Sequence, residues 1–350
     1  MKIFKAILAI AILSVSCSKD NDEPQPQPEI PKETVDVYLL GQELIANKYV
    51  AKYWKNNIAT ILNLDTNSSV SVSGMVVSGT DVFVSGSETS SGFTFPCLWK
   101  NGVRNVLPAP SPQPMTTAIA ISGADVYTSG TLPFGNNKKA VYWKNQTFIE
   151  LTNGSDISST SGIAFSGNNV YVIGSTQAAD NISYISKIWI NGQPKIISNQ
   201  DSRVLSIFIN GTDIYISGKE KNSSDVFLPI YWKYDTIANV FTKVTLNTYV
   251  NSMTAEASSI FVSGTDVYVA GFDRNDSGRD FANYWKNGQK KVLSDGSKDA
   301  YCSSIYINKN DVYVSGSDDN ILKHWKNNVA TNYTNGTNTA LAYSIIVTEK

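Results

Sequence analysis

Two stretches decide the fold: Ser263-Gly264-Thr265-Asp266-Val267-Tyr268-Val269-Ala270-Gly271 and, shortly after it, Tyr284-Trp285-Lys286-Asn287-Gly288. The first is a pair of β-rich runs around a tight polar turn, the pattern of a hairpin. The second carries Asn-Gly behind an aromatic run and reads as another hairpin, so together they make four antiparallel strands, A to D. Both phrases recur along the chain. The first is echoed at residues 78–86, 122–130, 166–174, 210–218 and 308–316. All seven tryptophans, Trp54, Trp99, Trp143, Trp189, Trp232, Trp285 and Trp325, sit in versions of the second, 40 to 53 residues apart. Four strands at that period are the unit of a propeller blade.

The two ends of the repeat array complete one another. The chain closes on Ser344-Ile345-Ile346-Val347-Thr348-Glu349-Lys350, a strand A with no strand B after it. Residues Val35-Asp36-Val37-Tyr38-Leu39-Leu40-Gly41 form a strand B with no strand A before it. Pairing them completes a seventh blade and removes an open edge that invites aggregation. The strands are apolar on both faces, as in Ile260-Phe261-Val262. That suits a blade packed between two neighbours, whereas a two-layer sandwich predicts alternation. The expectation is an all-β, seven-bladed propeller over residues 35–350, closed by the C-terminal strand and folding as a monomer.

The first residues read as an address. Lys2 and Lys5 precede a short apolar run ending at Leu13, too short to span a bilayer. Leu13-Ser14-Val15-Ser16-Cys17 resembles a lipobox, with Leu13 one position further from the cysteine than is usual. The resemblance implies a signal peptide over 1–16 and a membrane anchor on the lipidated Cys17. The acidic run Ser18-Lys19-Asp20-Asn21-Asp22-Glu23 is similar to the export signal of Bacteroidota-type lipoproteins. It implies an outer-membrane protein exposed at the cell surface. Proline alternating with Gln and Glu over 24–31 makes the rest of the 17–34 tether semi-rigid.

Charged residues make up only 17% of the chain and the net charge is −1. Nucleic-acid binding needs a concentrated basic face, and none is visible. Cys97 and Cys302 fall on blades two and seven, which are not neighbours, and read as buried free thiols. The repeat phrases resemble those of bacterial secreted and lipoprotein β-propellers with Tyr-Trp-Lys-Asn-Gly repeats, and more loosely the HAF-type extracellular repeats. That likeness implies a fold and a location but no activity. No cofactor is implied.

In a four-stranded meander the A–B and C–D turns share one face and the B–C and D–A connections share the other. The first set is uniform here. The second varies, at 88–92, 132–139, 178–183, 272–282, 108–114 and 247–256. Variable loops on a rigid scaffold are the usual place for binding. Four residues before the aligned isoleucines of strand A, a ring reads Ser71, Met115, Ser159, Arg203, Glu256, Tyr301 and Leu341. Arg203 and Glu256 lie on adjacent blades and are expected to form a polar grip, with Tyr301 as a stacking surface, for a glycan, peptide or partner protein.

Catalysis has less to draw on. Carboxylate pairs do acid–base work, and the ring offers only Glu256. The single histidine, His324, stands where other blades carry Tyr53, Tyr142, Tyr231 and Tyr284, and reads as structural. Asp273, Asn275 and Ser277 resemble the first half of a calcium loop, but Tyr284 occupies the place of its closing glutamate. Asp235-Thr236-Ile237, in a long hairpin on blade five, fits an O-glycosylation pattern of the same bacterial group. A hydrolytic propeller and a structural subunit of an outer-membrane assembly are the alternatives to a binding module.

Overall fold

The computed structural model describes residues 35–63, 65, 67–110, 113–249 and 254–350. The signal peptide, Cys17 and the tether lie outside the described residues. The described residues of the body Val35–Lys350 form 28 strands in seven four-stranded antiparallel sheets. Six sheets take consecutive strands, starting from the inner strands β4 (Ser69–Ser78), β8 (Met115–Ser122), β12 (Ser158–Ser166), β16 (Ser202–Asn210), β20 (Ala255–Ser263) and β24 (Ala300–Asn308). The seventh sheet closes the ring. Its order is β28-β1-β2-β3, with β28 (Ala340–Glu349) paired to β1 (Val35–Ile45), and β2 (Lys48–Lys55) and β3 (Ile58–Ile61) outside them. Register runs from Val35 opposite Glu349 to Glu43 opposite Ala340. The ends of the body thus lie side by side, and Lys350 Nζ stands 3.6 Å from Asp36.

The core is a set of layers between blades. One such layer joins Tyr38, Leu40 and Tyr53 of the first blade to Val70, Val84 and Trp99 of the second. Each of these tryptophans leans on the preceding blade. Trp99 Nε1 donates to the Leu62 carbonyl at 3.1 Å, Trp143 Nε1 to Pro108 at 2.7 Å and Trp285 Nε1 to Asn247 at 2.7 Å. Truncating a buried aromatic of this kind to alanine costs about 3–5 kcal/mol, which is why the tryptophan marks every blade.

The two repeated phrases explain each other through a staple on the uniform face. In the second blade Asn101 Oδ1 accepts from Val82 N at 2.8 Å, and its Nδ2 donates to Asp81 at 2.7 Å. Lys100 Nζ reaches the same carboxylate at 2.7 Å while lying over the Phe83 ring. Asp and Tyr or Phe come from the first phrase, Lys and Asn from the second. Blades one, three, six and seven repeat the set. In blade four Asn169 replaces the acid and Ile190 the lysine, so both partners of the ion pair disappear together. The Asn-Gly turns place both residues at positive φ, 51° and 83° at Asn101 and Gly102, as type I′ turns require.

Every inner strand carries a β-bulge at the same register. The extra residues are Ser73, Thr117, Ser161, Leu205, Ser258, Ser303 and Tyr343, and they form a ring around the axis. Opposite each bulge the second strand carries glycine.

The variable connections are shorter than the sequence suggests. The strands run into residues 88–92 and 132–139, with cross-strand pairs as far as Ser90–Phe93 and Phe134–Asn137. Only residues 275–279 separate the strands around the 272–282 connection. The residues read as loop continue the ladder because their cross-strand partners are present.

Candidate functional site

A cavity of about 610 Å³ occupies the axis on the side of the variable connections. The bulge residues line it, together with the small residues next to them, such as Gly74, Ala118, Gly162 and Ser206, and it reaches as deep as Ile119, Ile163 and Ile207. Small side chains keep the space open where seven strands crowd together. The cavity reaches the variable face at Glu256, Phe272 and Tyr301. Among the described residues, Glu256 is the one charged side chain in its lining.

Of the three residues expected to act together, the structure brings two to this cavity. Arg203 is turned toward blade four, where Nη1 meets Asp201 Oδ1 at 2.8 Å and the guanidinium lies 3.8 Å from the centre of the Tyr184 ring. Glu256 instead takes Lys219, with Oε2 to Nζ at 2.7 Å. The reason is register. Lys219 is the cross-strand partner of Arg203, so two cations sit side by side, and each pairs with a different acid. Tyr301 keeps its place in the wall. Its hydroxyl donates to Asp280 Oδ2 at 2.7 Å and its ring meets Phe272 edge-on, with centroids 5.0 Å apart. Arg274 grips Asp280 through two bonds of 2.8 Å. Burial opposes ionisation of Asp280, yet Arg274 and Tyr301 hold its carboxyl below the ordinary range. Burial and the Asp280 bond push the Tyr301 hydroxyl upward. The phenol is therefore a fixed donor at neutral pH.

The calcium-like residues are occupied otherwise. Asp273 is fully buried and accepts from Tyr249 N at 2.9 Å and Lys290 Nζ at 2.8 Å. Asn275 Oδ1 caps its own turn, accepting from Ser277 N at 3.1 Å and Arg279 N at 3.0 Å, and Ser277 Oγ donates to it at 3.0 Å. Among the described residues no three His, Cys, Asp or Glu side chains gather as a metal would need. His324 is buried with Nδ1 3.1 Å from Tyr333 Oη, and burial lowers its pKa to about 4. Cys97 and Cys302 are free and buried, and burial raises both thiols.

The architecture has solved counterparts. The β-propeller domain of the Trilobed protease from Pyrococcus furiosus matches with a TM-score of 0.53 at 13% identity, over 87% of this chain and 96% of that one. A protein from Lactobacillus plantarum matches with a TM-score of 0.52 at 12% identity, over 90% of this chain and all of that one (100%). TolB from Acinetobacter baumannii gives 0.45 at 10% identity, over 75% of this chain and 64% of TolB. No family model and no curated protein matches the chain. The likeness is one of fold. The Pyrococcus domain is described as having an open velcro topology, whereas this ring is closed by β28 on β1.

Phe272, Lys219 and the bulge ring were not picked out from the sequence. The signal for the ring was present. A glycine follows the core of every strand B because a side chain there would strike the bulged strand: a Cβ on Gly218 would lie 2.0 Å from the Arg203 carbonyl oxygen.

Proposed function

We propose that this chain is a non-catalytic binding module, held at the outer membrane by lipid on Cys17, that receives its ligand in the axial cavity through the variable face. The observation that carries the reading is the cavity itself: a recess with a mixed polar and apolar wall, ending among variable connections, in a size range common for ligand sites. The opposite face consists of uniform, stapled turns. Acid–base hydrolysis has little support, because the carboxylate of Glu256 is bound by Lys219 and that of Asp280 by Arg274 and Tyr301.

The test uses the propeller beginning at Val35 and a variant with its mouth blocked, Ser71→Trp with Ser159→Trp. Both are incubated with solubilised envelope material, next to a Lys55→Glu variant altered on the uniform face. A ligand kept by the parent and by Lys55→Glu but lost by a folded mouth variant supports the reading. A ligand lost only by Lys55→Glu overturns it. For the anchor, metabolic labelling with a radioactive fatty acid is expected to mark the full chain and to fail for Cys17→Ser.

A further inference from the structure

The seven-fold ring is unevenly used. In blades two and three the bulge hydroxyls lock neighbouring blades together. Ser73 Oγ bonds Ser85 Oγ at 2.8 Å and Thr116 Oγ1 of the next blade at 2.9 Å, and Thr117 Oγ1 bonds Ser129 and Thr160 at 3.0 and 2.8 Å. From blade five onward the latch moves by one residue. Ser206, Ser259 and Ser304 accept from Ile260 N, Ile305 N and Ile345 N of the following blades. The bulge hydroxyls of blades six and seven are thereby released from this structural task. Ser258 Oγ turns to Glu256 Oε1 at 3.4 Å, and the Ser303 hydroxyl has no side-chain hydrogen bond among the described residues. Around Ser161 of blade four, Ile173 of the same blade and Val204 of the next stand where Ser129 and Thr160 serve Thr117. The Ser161 hydroxyl is left buried in the cavity wall without a partner.

We propose that the mouth of blades six and seven is a subsite for one neutral pyranose residue of a glycan, a reading that rests on the binding module above. Three features select that chemistry. Ser258 and Ser303 are hydroxyls that can each donate and accept, the need of a polyol. The Tyr301 and Phe272 rings form an aromatic wall for the apolar C–H face of a sugar. The single charge in the lining is neutralised by Lys219, so a charged ligand gains no free counter-ion and has to break an existing pair.

Saturation-transfer NMR on the propeller Val35–Lys350 tests this with cellotriose, maltotriose and chitotriose as neutral probes. Trigalacturonate serves as an anionic probe and tetra-alanine as a peptide. At least one neutral trisaccharide is expected to bind. Phe272→Leu and the double variant Ser258→Ala, Ser303→Ala are each expected to weaken it about tenfold. The serine changes are small enough to leave the fold intact, which the unfolding temperature checks. Silence from all three neutral sugars, binding of trigalacturonate or tetra-alanine alone, or sugar binding untouched by the serine variants overturns the subsite. If the blocked mouth still abolishes capture while every sugar is silent, the binding module stands and only the saccharide assignment falls.

Discussion

Gly271 and Gly264 sit seven residues apart and are needed for different reasons. A Cβ on Gly271 would lie 1.9 Å from the Glu256 carbonyl oxygen, against backbone that cannot step aside without undoing the bulge. Gly264 has open space around it and only a φ of +60° to satisfy. Gly264→Ala is expected to cost roughly 1–2 kcal/mol through the left-handed backbone, and Gly271→Ala about 3 kcal/mol or more through the clash. Urea unfolding of the two variants checks the order, and equal costs would remove the bulge from the account. His324 supplies a second residue-scale test. Burial lowers its folded pKa to about 4 from the ordinary 6.5, so below pH 6.5 the unfolded chain takes up a proton that the folded chain refuses. The stability contributed by the neutral ring is complete above pH 6.5 and declines toward pH 4, by about 3 kcal/mol in all. Tyrosine stands at this position in four other blades. The stability difference between the parent and His324→Tyr is therefore expected to shift against the parent between pH 7 and pH 4, and to stay constant if His324 does not titrate in that window.

At the scale of the element, the stapled pair of hairpins is the repeated unit, and Asn287 is its hinge. Its side chain accepts from Val267 N at 2.8 Å and donates to Asp266 at 2.7 Å, while its own φ is +50°. Asn287→Ala removes both bonds and puts alanine in a left-handed position. We expect a loss of about 2 kcal/mol, while Asn287→Gly, which relieves the backbone, loses less. Thermal unfolding of the two variants separates the bonds from the backbone term. The same unit explains what could be read without coordinates. The tryptophan and Asn-Gly phrases are constrained by packing and turn geometry in every blade, so strand number, blade number and closure were legible. The cavity mouth was legible in part. Counting back along strand A places Glu256 and Tyr301 at its rim, because strand register carries a position reliably from blade to blade. Arg203 was misassigned because its choice between Asp201 and Glu256 depends on Lys219 beside it, a competition that no spacing reveals. The hydroxyl ring was missed because serine and threonine are abundant throughout, and only hydrogen-bond partners separate a latch such as Thr117 from an unused group such as Ser303.

For the whole molecule, the question is what closing the first blade with strands from both ends contributes. In the parent, β28 and β1 meet across the gap between chain ends, so opening the ring requires peeling a strand from inside a sheet. The blade's hydrogen bonds from Val35–Glu349 to Glu43–Ala340 must break together with its packing. Asp36 stands opposite Thr348 as Asp266 stands opposite Ser263. A Gly-Thr link from Thr348 to Asp36 therefore reproduces the turn that the other blades already use. Two circular permutants carrying that link differ only in where the chain is reopened. Opened between Gly264 and Thr265, the sixth blade is shared by the two ends and the strand closure is rebuilt elsewhere. Opened between Asn247 and Thr248, every blade comes from one continuous segment and the ring is held shut only by packing between blades five and six. The first permutant is expected to unfold within a few degrees of the parent. The second is expected to unfold faster, because the seam can part without breaking a β-ladder, even where its equilibrium stability is close. Unfolding rates in strong denaturant measure this directly. Equal rates for both permutants would mean that inter-blade packing alone sets the barrier and that the shared blade serves only to cover the edge of β1.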